Sequence, residues 1–311
     1  MSISFWVFTS LIVLLVFYLL AWGTQVRRYT SSSTVANAYD SWTNDRLLEQ
    51  LWGEHVHLGY YPDLGRGIDF RLAKIDFVHH LVRWSGLDQL PPGSRVLDVG
   101  CGIGGSSRIL SREYGFDVIG ITISHAQVQR AKELTPKDLL CHFEVMDALD
   151  LKFDQSSFDG VWSVEAGPHM PDKQLYADEM LRVLRPGGVL AVADWNSRES
   201  VTGIRSGFER FVMSQLLNQW AHPDFATIHG FRQNLINSRF SGGFVDSEDW
   251  TKFTLPSWID SILEGFRRPG AVLSLGPGAL LKGLREIPTI VLMRWAFANG
   301  LMQFGVFRSR G

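Results

Sequence analysis

The feature that most constrains the fold is an alternation of short apolar strands and amphipathic helices through the middle of the chain. The pattern predicts, in order, a strand at Arg95–Val99, a helix at Gly104–Tyr114, a strand at Asp117–Ile121, a helix at Ser124–Leu134, strands at His142–Val145 and Phe158–Val164, a helix at Asp172–Leu184 and a strand at Val189–Asp194. Strands that alternate with helices form mainly parallel sheets covered by helices on both faces. The tail LMQFGVFRS has the pattern of a closing strand. We therefore expect an α/β fold.

A glycine-rich turn follows the first predicted strand. The run VLDVGCGIGG (Val96–Gly105) places Asp98, Gly100, Gly102 and Gly104 in the pattern D-x-G-x-G-x-G. Glycines let the backbone approach a ligand closely and adopt conformations closed to other residues. Ligands of open parallel sheets bind beyond the carboxyl ends of the strands. The turn therefore predicts a cofactor site.

The same turn also satisfies the pattern G-x-G-x-x-G of dinucleotide-binding folds. That fold requires an acidic residue about 20 residues further on, at the end of the second strand, where this chain has Thr122 in the run GITIS. Asp98 precedes the turn, where a carboxylate can hold the loop and favour the ammonium group of an amino-acid ligand. Asp147, in MDALDLKF, is suited to an adenine amino group. These features favour an amino-acid nucleoside over a dinucleotide.

The order of the motifs resembles class I S-adenosylmethionine-dependent methyltransferases over roughly residues 95–194. After the glycine turn come MDALDLKF, FDGVWS and LRPGG. Thr122 departs from the generic pattern, in which an acid binds the ribose, and is similar to the residue of sterol and tocopherol methyltransferases and cyclopropane synthases. The resemblance implies a Rossmann-like sheet with S-adenosylmethionine as cofactor. It also implies that Tyr39 reaches the methionine end and that the adenosine is bordered by Thr122, Ile123, Gln127, Asp147 and Ala148.

Two further runs resemble the tocopherol-pathway methyltransferases of plastids and cyanobacteria, namely WGEHVHLGYY (Trp52–Tyr61) and VWSVEAGPHMPDK (Val161–Lys173). The run VEAGPHMPDK, with VADWN at Val192–Asn196, is similar to the branch that methylates 2-methyl-6-phytyl-1,4-benzoquinol, whereas γ-tocopherol methyltransferases tend to read SLESGEHMPNK. The resemblance implies methylation of a ring carbon of a prenylated hydroquinone, with the solanesyl analogue as an additional acceptor. Two alternatives stay open: γ-tocopherol methylation, and a membrane scaffold that binds S-adenosylmethionine without catalysis.

Four side chains are candidates for the acid–base chemistry of ring methylation. A ring carbon of a hydroquinone becomes strongly nucleophilic when an adjacent phenol, with a pKa of about 10, loses its proton. A base within hydrogen-bonding reach typically contributes about 10²–10⁴-fold. His169 and Glu165 follow the fourth strand, and His55 and His57 can approach from the N-terminal helical region. Which of these two histidines faces the site stays open, and Asp194 is either a further base or a structural residue.

The N-terminal segment has no charged residue from Ile3 to Trp22. Roughly 20 apolar residues span a bilayer as a helix. A cleaved signal peptide is disfavoured because no basic residue precedes the apolar run and no small-x-small site follows it. Arg27 and Arg28 favour a cytoplasmic position for the rest of the chain. We expect residues 1–26 to be a membrane anchor and residues 27–311 to be the methyltransferase domain, in a plasma or thylakoid membrane if the resemblance to the cyanobacterial enzymes holds.

Two bulky, apolar stretches interrupt the alternation of strands and helices. We expect them to be helical lid insertions over the strand ends, at about residues 198–240 and 254–300. The second stretch is predicted to be broken at Pro269, at Gly276–Gly278 and at Pro288. Its aromatic residues are either core or the lining of a tunnel for a prenyl chain.

The composition excludes several other functions. The net charge is −2 with both signs interspersed, whereas nucleic-acid binders carry a clustered basic excess. Cys101 and Cys141 are the two cysteines of the chain. They are too few for a disulfide framework or a zinc cluster, so no metal is expected.

Overall fold

The structure, a computed structural model, describes residues 3–24, 26–62, 68–199 and 206–311. These residues form a seven-stranded sheet in the order β3-β2-β1-β4-β5-β7-β6. Its strands are β1 (Arg95–Val99), β2 (Asp117–Thr122), β3 (Cys141–Val145), β4 (Phe158–Val164), β5 (Leu184–Ser197), β6 (Val245–Asp249) and β7 (Met302–Arg310). Strands β1 to β5 are parallel, and β7 runs antiparallel between β5 and β6. The predicted α/β class and the closing strand are confirmed.

The helices cover both faces of the sheet. In chain order they are α1 (Ile3–Thr24), α2 (Ser32–Asn44), α3 (Leu47–Trp52), α4 (Phe70–Ser85), α5 (Gly105–Tyr114), α6 (His125–Leu134), α7 (Lys173–Val183), α8 (Gly207–Gln219), α9 (Ile228–Asn237), α10 (Thr251–Thr254), α11 (Ser257–Arg267), α12 (Pro269–Ser274) and α13 (Gly276–Ala298). Short 3₁₀ turns lie at Leu87–Gln89 and Gly167–His169.

The core lies on both faces of the parallel strands, because successive side chains of a strand point to opposite faces. Val96 and Val118 belong to one buried cluster, with α4 and α5, and Leu97 and Ile119 belong to the other, with α7. A sheet buried on both faces needs apolar residues at consecutive positions. The sequence has apolar residues at these positions, and most predicted elements of this region form close to their expected bounds. The exception is β5, predicted at Val189–Asp194, which begins earlier, at Leu184, and ends later, at Ser197.

Residues 206–240 and 254–300, the two predicted insertions, are largely helical, with one difference from the predicted breaks. In the first insertion α8 and α9 are helical, and residues 200–205 lie outside the described residues. In the second insertion the breaks before Pro269 and Gly276 are confirmed, but the break at Pro288 is wrong, since α13 continues through it. Proline removes one hydrogen bond, to the carbonyl four residues earlier. That carbonyl, of Leu284, instead accepts a hydrogen bond from the Tyr18 hydroxyl of α1.

Helix α1 contacts the rest of the structure mainly through its C-terminal end. The Trp22 indole donates to the Thr289 hydroxyl of α13 (3.1 Å), and the Gln219 amide donates to the Trp22 carbonyl (3.1 Å). Within the described residues, one helical stretch, the 20 residues Phe5–Thr24, has the length and composition to cross a membrane, and this stretch is almost entirely exposed. The core helix of a soluble protein or a signal sequence can have the same length and composition, although core helices are mostly buried.

Candidate active site

A cavity of about 580 Å³ lies at the carboxyl ends of β1, β2 and β4 and extends to helices α11–α13. Its volume is within the range of about 300–1,000 Å³ of small-molecule sites. The cavity is lined by these predicted site residues: Tyr39, His55, His57, Asp98, Gly100, Gly102, Thr122, Ile123, Gln127, Asp147, Ala148, Glu165 and His169. The fold therefore brings together residues that are up to 130 positions apart in the chain.

The glycine turn after β1 adopts backbone conformations that favour glycine. Gly100, Gly102 and Gly104 have φ of +78°, +54° and +81°. A Cβ added at Gly100 would lie 2.5 Å from the Cβ of Ala166, so a side chain has no room there. Gly104 differs from the prediction because it does not line the cavity. A Cβ there would lie 2.6 Å from the Phe143 ring, so Gly104 lets the turn pack against β3.

Asp98 is a buried carboxyl group at the start of this turn. The Ser107 hydroxyl donates a hydrogen bond to Asp98 Oδ2 at 2.5 Å. Burial raises the pKa of Asp98 to about 7, and the Ser107 hydrogen bond opposes the rise. A buried carboxylate is unstable without a compensating partner. A cationic ligand group beside Asp98 therefore stabilises its ionised form.

The end of β2 provides neutral polar groups. The Thr122 hydroxyl donates to Gln127 Oε1 (2.7 Å), which leaves the Gln127 amide nitrogen as a donor. The nearby Asp40 caps α6 by accepting hydrogen bonds from Ser124 Oγ and Ala126 N. Asp147 accepts from its own turn, at Leu149 N (2.9 Å). No carboxylate therefore takes the place at the end of β2 where dinucleotide-binding folds carry one.

His55 and His57 both line the cavity and are hydrogen-bonded to each other in a defined direction. His57 Nδ1 lies 2.8 Å from the Leu58 carbonyl and must donate to it, and His57 Nε2 lies 3.1 Å from His55 Nδ1. Burial lowers the pKa of His55 and lowers that of His57 to about 3, so both rings are neutral. A neutral imidazole has one donor and one acceptor nitrogen. His57 Nε2 therefore accepts from His55 Nδ1, and His55 Nε2 keeps its lone pair.

Two ionisable groups, the half-buried Glu165 and the buried Lys74, hold the segment that carries this pair. Glu165 Oε1 accepts a hydrogen bond from Leu58 N (2.7 Å), and Lys74 Nζ donates to the His55 carbonyl (2.7 Å). Burial raises the pKa of Glu165 to about 8, opposed by the Leu58 amide and by Lys74. Glu165 also has φ of +56°. Non-glycine residues in this region are uncommon and cluster at functional sites.

A second histidine pair lies beyond β4. The Tyr39 hydroxyl and His169 Nε2 are 2.9 Å apart, and the His169 ring stacks on that of His222 with centroids 4.4 Å apart. Burial lowers the pKa of His169 to about 3. Asp194, considered above as a further base, does not line the cavity. It accepts from Gly167 N (3.0 Å) and has Lys173 close enough to affect its pKa, which indicates a structural role.

Comparison with known proteins identifies the family. Residues 97–192 match a family model described as a methyltransferase domain. The chain is 56% identical over 283 residues to the 2-methyl-6-phytyl-1,4-hydroquinone methyltransferase of Synechocystis sp., an alignment that covers 91% of this chain and 89% of that one. This chain belongs to the class I S-adenosylmethionine-dependent methyltransferases. The tocopherol O-methyltransferase of Arabidopsis thaliana is 33% identical to this methyltransferase, over 84% of this chain and 77% of that one.

The methyltransferase fold is also found in solved structures of low sequence identity. The phosphoethanolamine N-methyltransferase 2 of Haemonchus contortus, in complex with phosphomonomethylethanolamine and S-adenosylhomocysteine, superimposes with a TM-score of 0.72 at 17% identity, over 90% of this chain and 60% of that one. The residues of the present cavity fit S-adenosylmethionine. Gly100 has no room for a side chain, and among the described residues Asp98 has no cationic partner, which a ligand ammonium group would supply.

Several cavity residues of this methyltransferase escaped the sequence analysis. Lys74 occupies the buried stripe of α4 between Phe70 and Phe77, and that position, a lysine at apolar helical spacing, was the available signal. His222 follows α8 in the first lid insertion, with no motif to mark it. The apolar wall of the cavity was predicted only as a region, and it includes Trp220, Trp258, Ile262, Phe266, Leu280, Leu284 and Ile287.

Proposed function

We propose that this methyltransferase methylates a ring carbon of 2-methyl-6-phytyl-1,4-benzoquinol and forms 2,3-dimethyl-6-phytyl-1,4-benzoquinol, in tocopherol biosynthesis. The solanesyl analogue, a plastoquinone precursor, is an additional acceptor. The observation that carries the proposal is the continuity of one cavity from the glycine turn, past the histidine pairs, to an apolar wall in α11–α13. A prenylated quinol matches this arrangement, with its polar ring near the histidine pairs and its long prenyl chain along the apolar wall. The name of the 56% identical relative supports the same acceptor.

The cofactor end of the cavity is assigned by the chemistry of its side chains. S-adenosylmethionine supplies an electrophilic methyl group on a sulfonium and leaves as neutral S-adenosylhomocysteine. We infer that Asp98 holds the ammonium group and that Asp147 accepts from the adenine amino group. The Gln127 amide, oriented by Thr122, donates to the ribose hydroxyls in place of the usual carboxylate. Tyr39 borders the methionine end.

Among the four candidate catalytic residues, Glu165 is the best suited to accept a proton. An efficient base has a pKa near the working pH, and the pKa of Glu165 is about 8, while that of His57 and of His169 is about 3. A cationic ligand in the cavity favours the ionised carboxylate. Glu165 then accepts the phenol proton as the ring carbon attacks the methyl group. The methylated carbon afterwards loses its hydrogen as a proton while the ring oxygen regains one, so the aromatic quinol is restored and one proton is released overall. His55 Nε2, an uncharged acceptor, orients a hydroxyl of the ring.

Membrane attachment is the second part of the proposal. Helix α1 exposes its apolar side chains, and apolar side chains are also exposed on α11–α13 near the cavity, at Phe266, Leu273, Leu280, Leu281 and Leu284. The end of α1 is tied to α13, where Glu286 accepts from Arg27 (2.8 Å). We propose that residues 1–26 anchor the enzyme, with residues 27–311 on the cytoplasmic side of a cyanobacterial plasma or thylakoid membrane. The prenyl chain then reaches the cavity from the bilayer.

An acceptor panel tests this function. The full-length enzyme in detergent receives methyl-labelled S-adenosylmethionine with 2-methyl-6-phytyl-1,4-benzoquinol, its solanesyl analogue or γ-tocopherol, and the products are identified by mass and ring substitution. We expect methylation of the two quinols and a loss of turnover of about 10²-fold or more in Glu165→Gln. Methylation of γ-tocopherol alone would assign the enzyme to the other branch. Cofactor binding without any turnover would favour the scaffold.

Removal of residues 1–24 tests the anchor. We expect the shortened enzyme to leave the membrane fraction and to keep its turnover of quinol in detergent, because α1 does not line the cavity. If the shortened enzyme stays with the membrane, the exposed apolar side chains of α11–α13 are sufficient for attachment.

A further inference from the structure

His222 is a buried histidine of the cavity whose ring makes no hydrogen bond. Its side chain lines the cavity, its residue exposure is 3%, and neither ring nitrogen has a hydrogen-bond partner within the described residues. The Pro168 carbonyl lies beside the ring, outside hydrogen-bond geometry. Buried polar atoms of native proteins are nearly always paired, so an unpaired buried ring that faces a cavity indicates a ligand group.

The position of His222 is fixed by backbone contacts, without hydrogen bonds from its two ring nitrogens. Lys173 Nζ donates to the carbonyls of Gly167 (2.7 Å) and Asp224 (3.0 Å), and so joins the turn that carries His169 to the loop that carries His222. The His222 backbone amide donates to the Leu217 carbonyl at the end of α8 (2.9 Å). The imidazole is therefore preorganised, and its hydrogen-bonding capacity is left for the cavity.

The surroundings of His222 select a flat ring that carries a hydroxyl group. Its ring centroid lies 4.4 Å from that of His169, 5.0 Å from that of Phe225 and 5.7 Å from that of Trp195. Burial keeps the pKa of His222 below its ordinary value, so the ring is neutral. A neutral imidazole has one unprotonated nitrogen, which can accept a hydrogen bond.

We propose that His222 accepts a hydrogen bond from the second hydroxyl of the acceptor ring and thereby makes the enzyme specific for quinols over chromanols. A quinol has two hydroxyl groups on opposite sides of its ring, whereas the second oxygen of a chromanol is an ether without a proton. Glu165 serves the first hydroxyl, and the Trp195 indole is adjacent to both Glu165 and His222. The assignment rests on the proposed function and adds the residue that determines acceptor specificity.

Two variants separate hydrogen bonding from packing. His222→Phe keeps an aromatic ring against His169 and removes the nitrogens, while His222→Asn removes the ring and keeps a polar group. We expect His222→Phe to raise the KM for 2-methyl-6-phytyl-1,4-benzoquinol about 10- to 100-fold, and His222→Asn to restore part of the loss. The affinity for S-adenosylhomocysteine, measured by calorimetry, should be unchanged in both. A His222→Phe enzyme with the KM of the unaltered enzyme would overturn the assignment.

Acceptor analogues test the same contact in the unaltered enzyme, so that the test survives if a variant fails to fold. The two mono-O-methyl ethers of the quinol each lack one hydroxyl proton. We expect the ether at the His222 side to be a poor acceptor for the unaltered enzyme and to equal the parent quinol in His222→Phe. Equal turnover of both ethers and the parent quinol by the unaltered enzyme would refute the role of His222 but would not refute the proposed function. An unaltered enzyme that methylates no quinol would refute the proposed function, and this inference with it.

Discussion

Cofactor binding should weaken as the pH falls below about 7, because Asp98 is then protonated in the empty site. Burial raises the pKa of this carboxyl group from 3.8 to about 7. The ammonium group of the cofactor binds the carboxylate, so binding below pH 7 requires the loss of a proton. Each pH unit below the pKa costs about 1.4 kcal/mol, a factor of about ten in affinity. Between pH 7.5 and 5.5 the affinity should therefore fall by about 20- to 30-fold.

Titration calorimetry with S-adenosylhomocysteine measures this effect. This ligand carries the ammonium group without the sulfonium, which limits its influence on Glu165. At pH 6, buffers of different ionisation enthalpy should reveal the release of nearly one proton per molecule bound. Asp98→Asn should bind about 10- to 100-fold more weakly at pH 7.5 and lose the pH dependence, whereas Glu165→Gln should keep it. Equal affinity at pH 5.5 and 7.5, or a pH dependence that persists in Asp98→Asn, would refute the reasoning.

Three further predictions follow from the packing around the cavity. Lys74→Met removes the donor to the His55 carbonyl, so steady-state kinetics should show a kcat about tenfold lower with a smaller change in S-adenosylhomocysteine affinity; the exposed Lys252→Met is the matched control. Gly100→Ala should lower the free energy of unfolding in urea by about 2–5 kcal/mol and abolish cofactor binding, because the new side chain is both strained at a positive φ and in steric overlap with its neighbours. Gly187→Ala is the control. Its φ is +79° and no atom lies within 4 Å of the new Cβ, so this variant has the backbone strain without the overlap and should still bind the cofactor. In thermal unfolding without ligand, the midpoint of the unaltered enzyme should fall relative to that of Asp98→Asn as the pH rises from about 5 to 8, because ionisation of Asp98, whose pKa is raised from 3.8 to about 7, opposes folding, while the buried histidines with lowered pKa values contribute equally to both enzymes; a midpoint difference that does not change with pH would contradict this shift.

The sequence predicts the cofactor half of the molecule well because its signals are local. A buried strand, a glycine turn and an amphipathic helix each require residues that are close in the chain, and Asp98 and Gly100 belong to one such run. The positive φ of Gly100 and the absence of room for a side chain are consequences of that run. The end of β2 is an equally local signal. Because it has Thr122 in place of an acidic residue, the sequence alone argues against a dinucleotide.

The lid half was predicted less well because its structure depends on contacts between distant residues. Pro288 is a helix breaker by local rules, yet α13 continues through it because Tyr18, 266 positions from Leu284, supplies the missing donor. Likewise, the tautomers of His55 and His57 follow from the Leu58 carbonyl and the folded loop. No spacing rule contains these partners, so the sequence named the two histidines without saying which ring nitrogen is available.

Because the cofactor motifs and the acceptor-side residues lie in different parts of the chain, family membership supports the cofactor more strongly than it supports the acceptor. The matched family model covers residues 97–192, which include the cofactor motifs, Glu165 and His169. The N-terminal histidine pair, Lys74, His222 and the apolar wall all lie outside that range. The structural similarity to an N-methyltransferase at 17% identity shows a shared fold and does not specify the acceptor. Acceptor specificity in this enzyme must therefore be sought in the lid and the N-terminal segment, and a substitution at His222 should change which ring is methylated without changing which cofactor is bound.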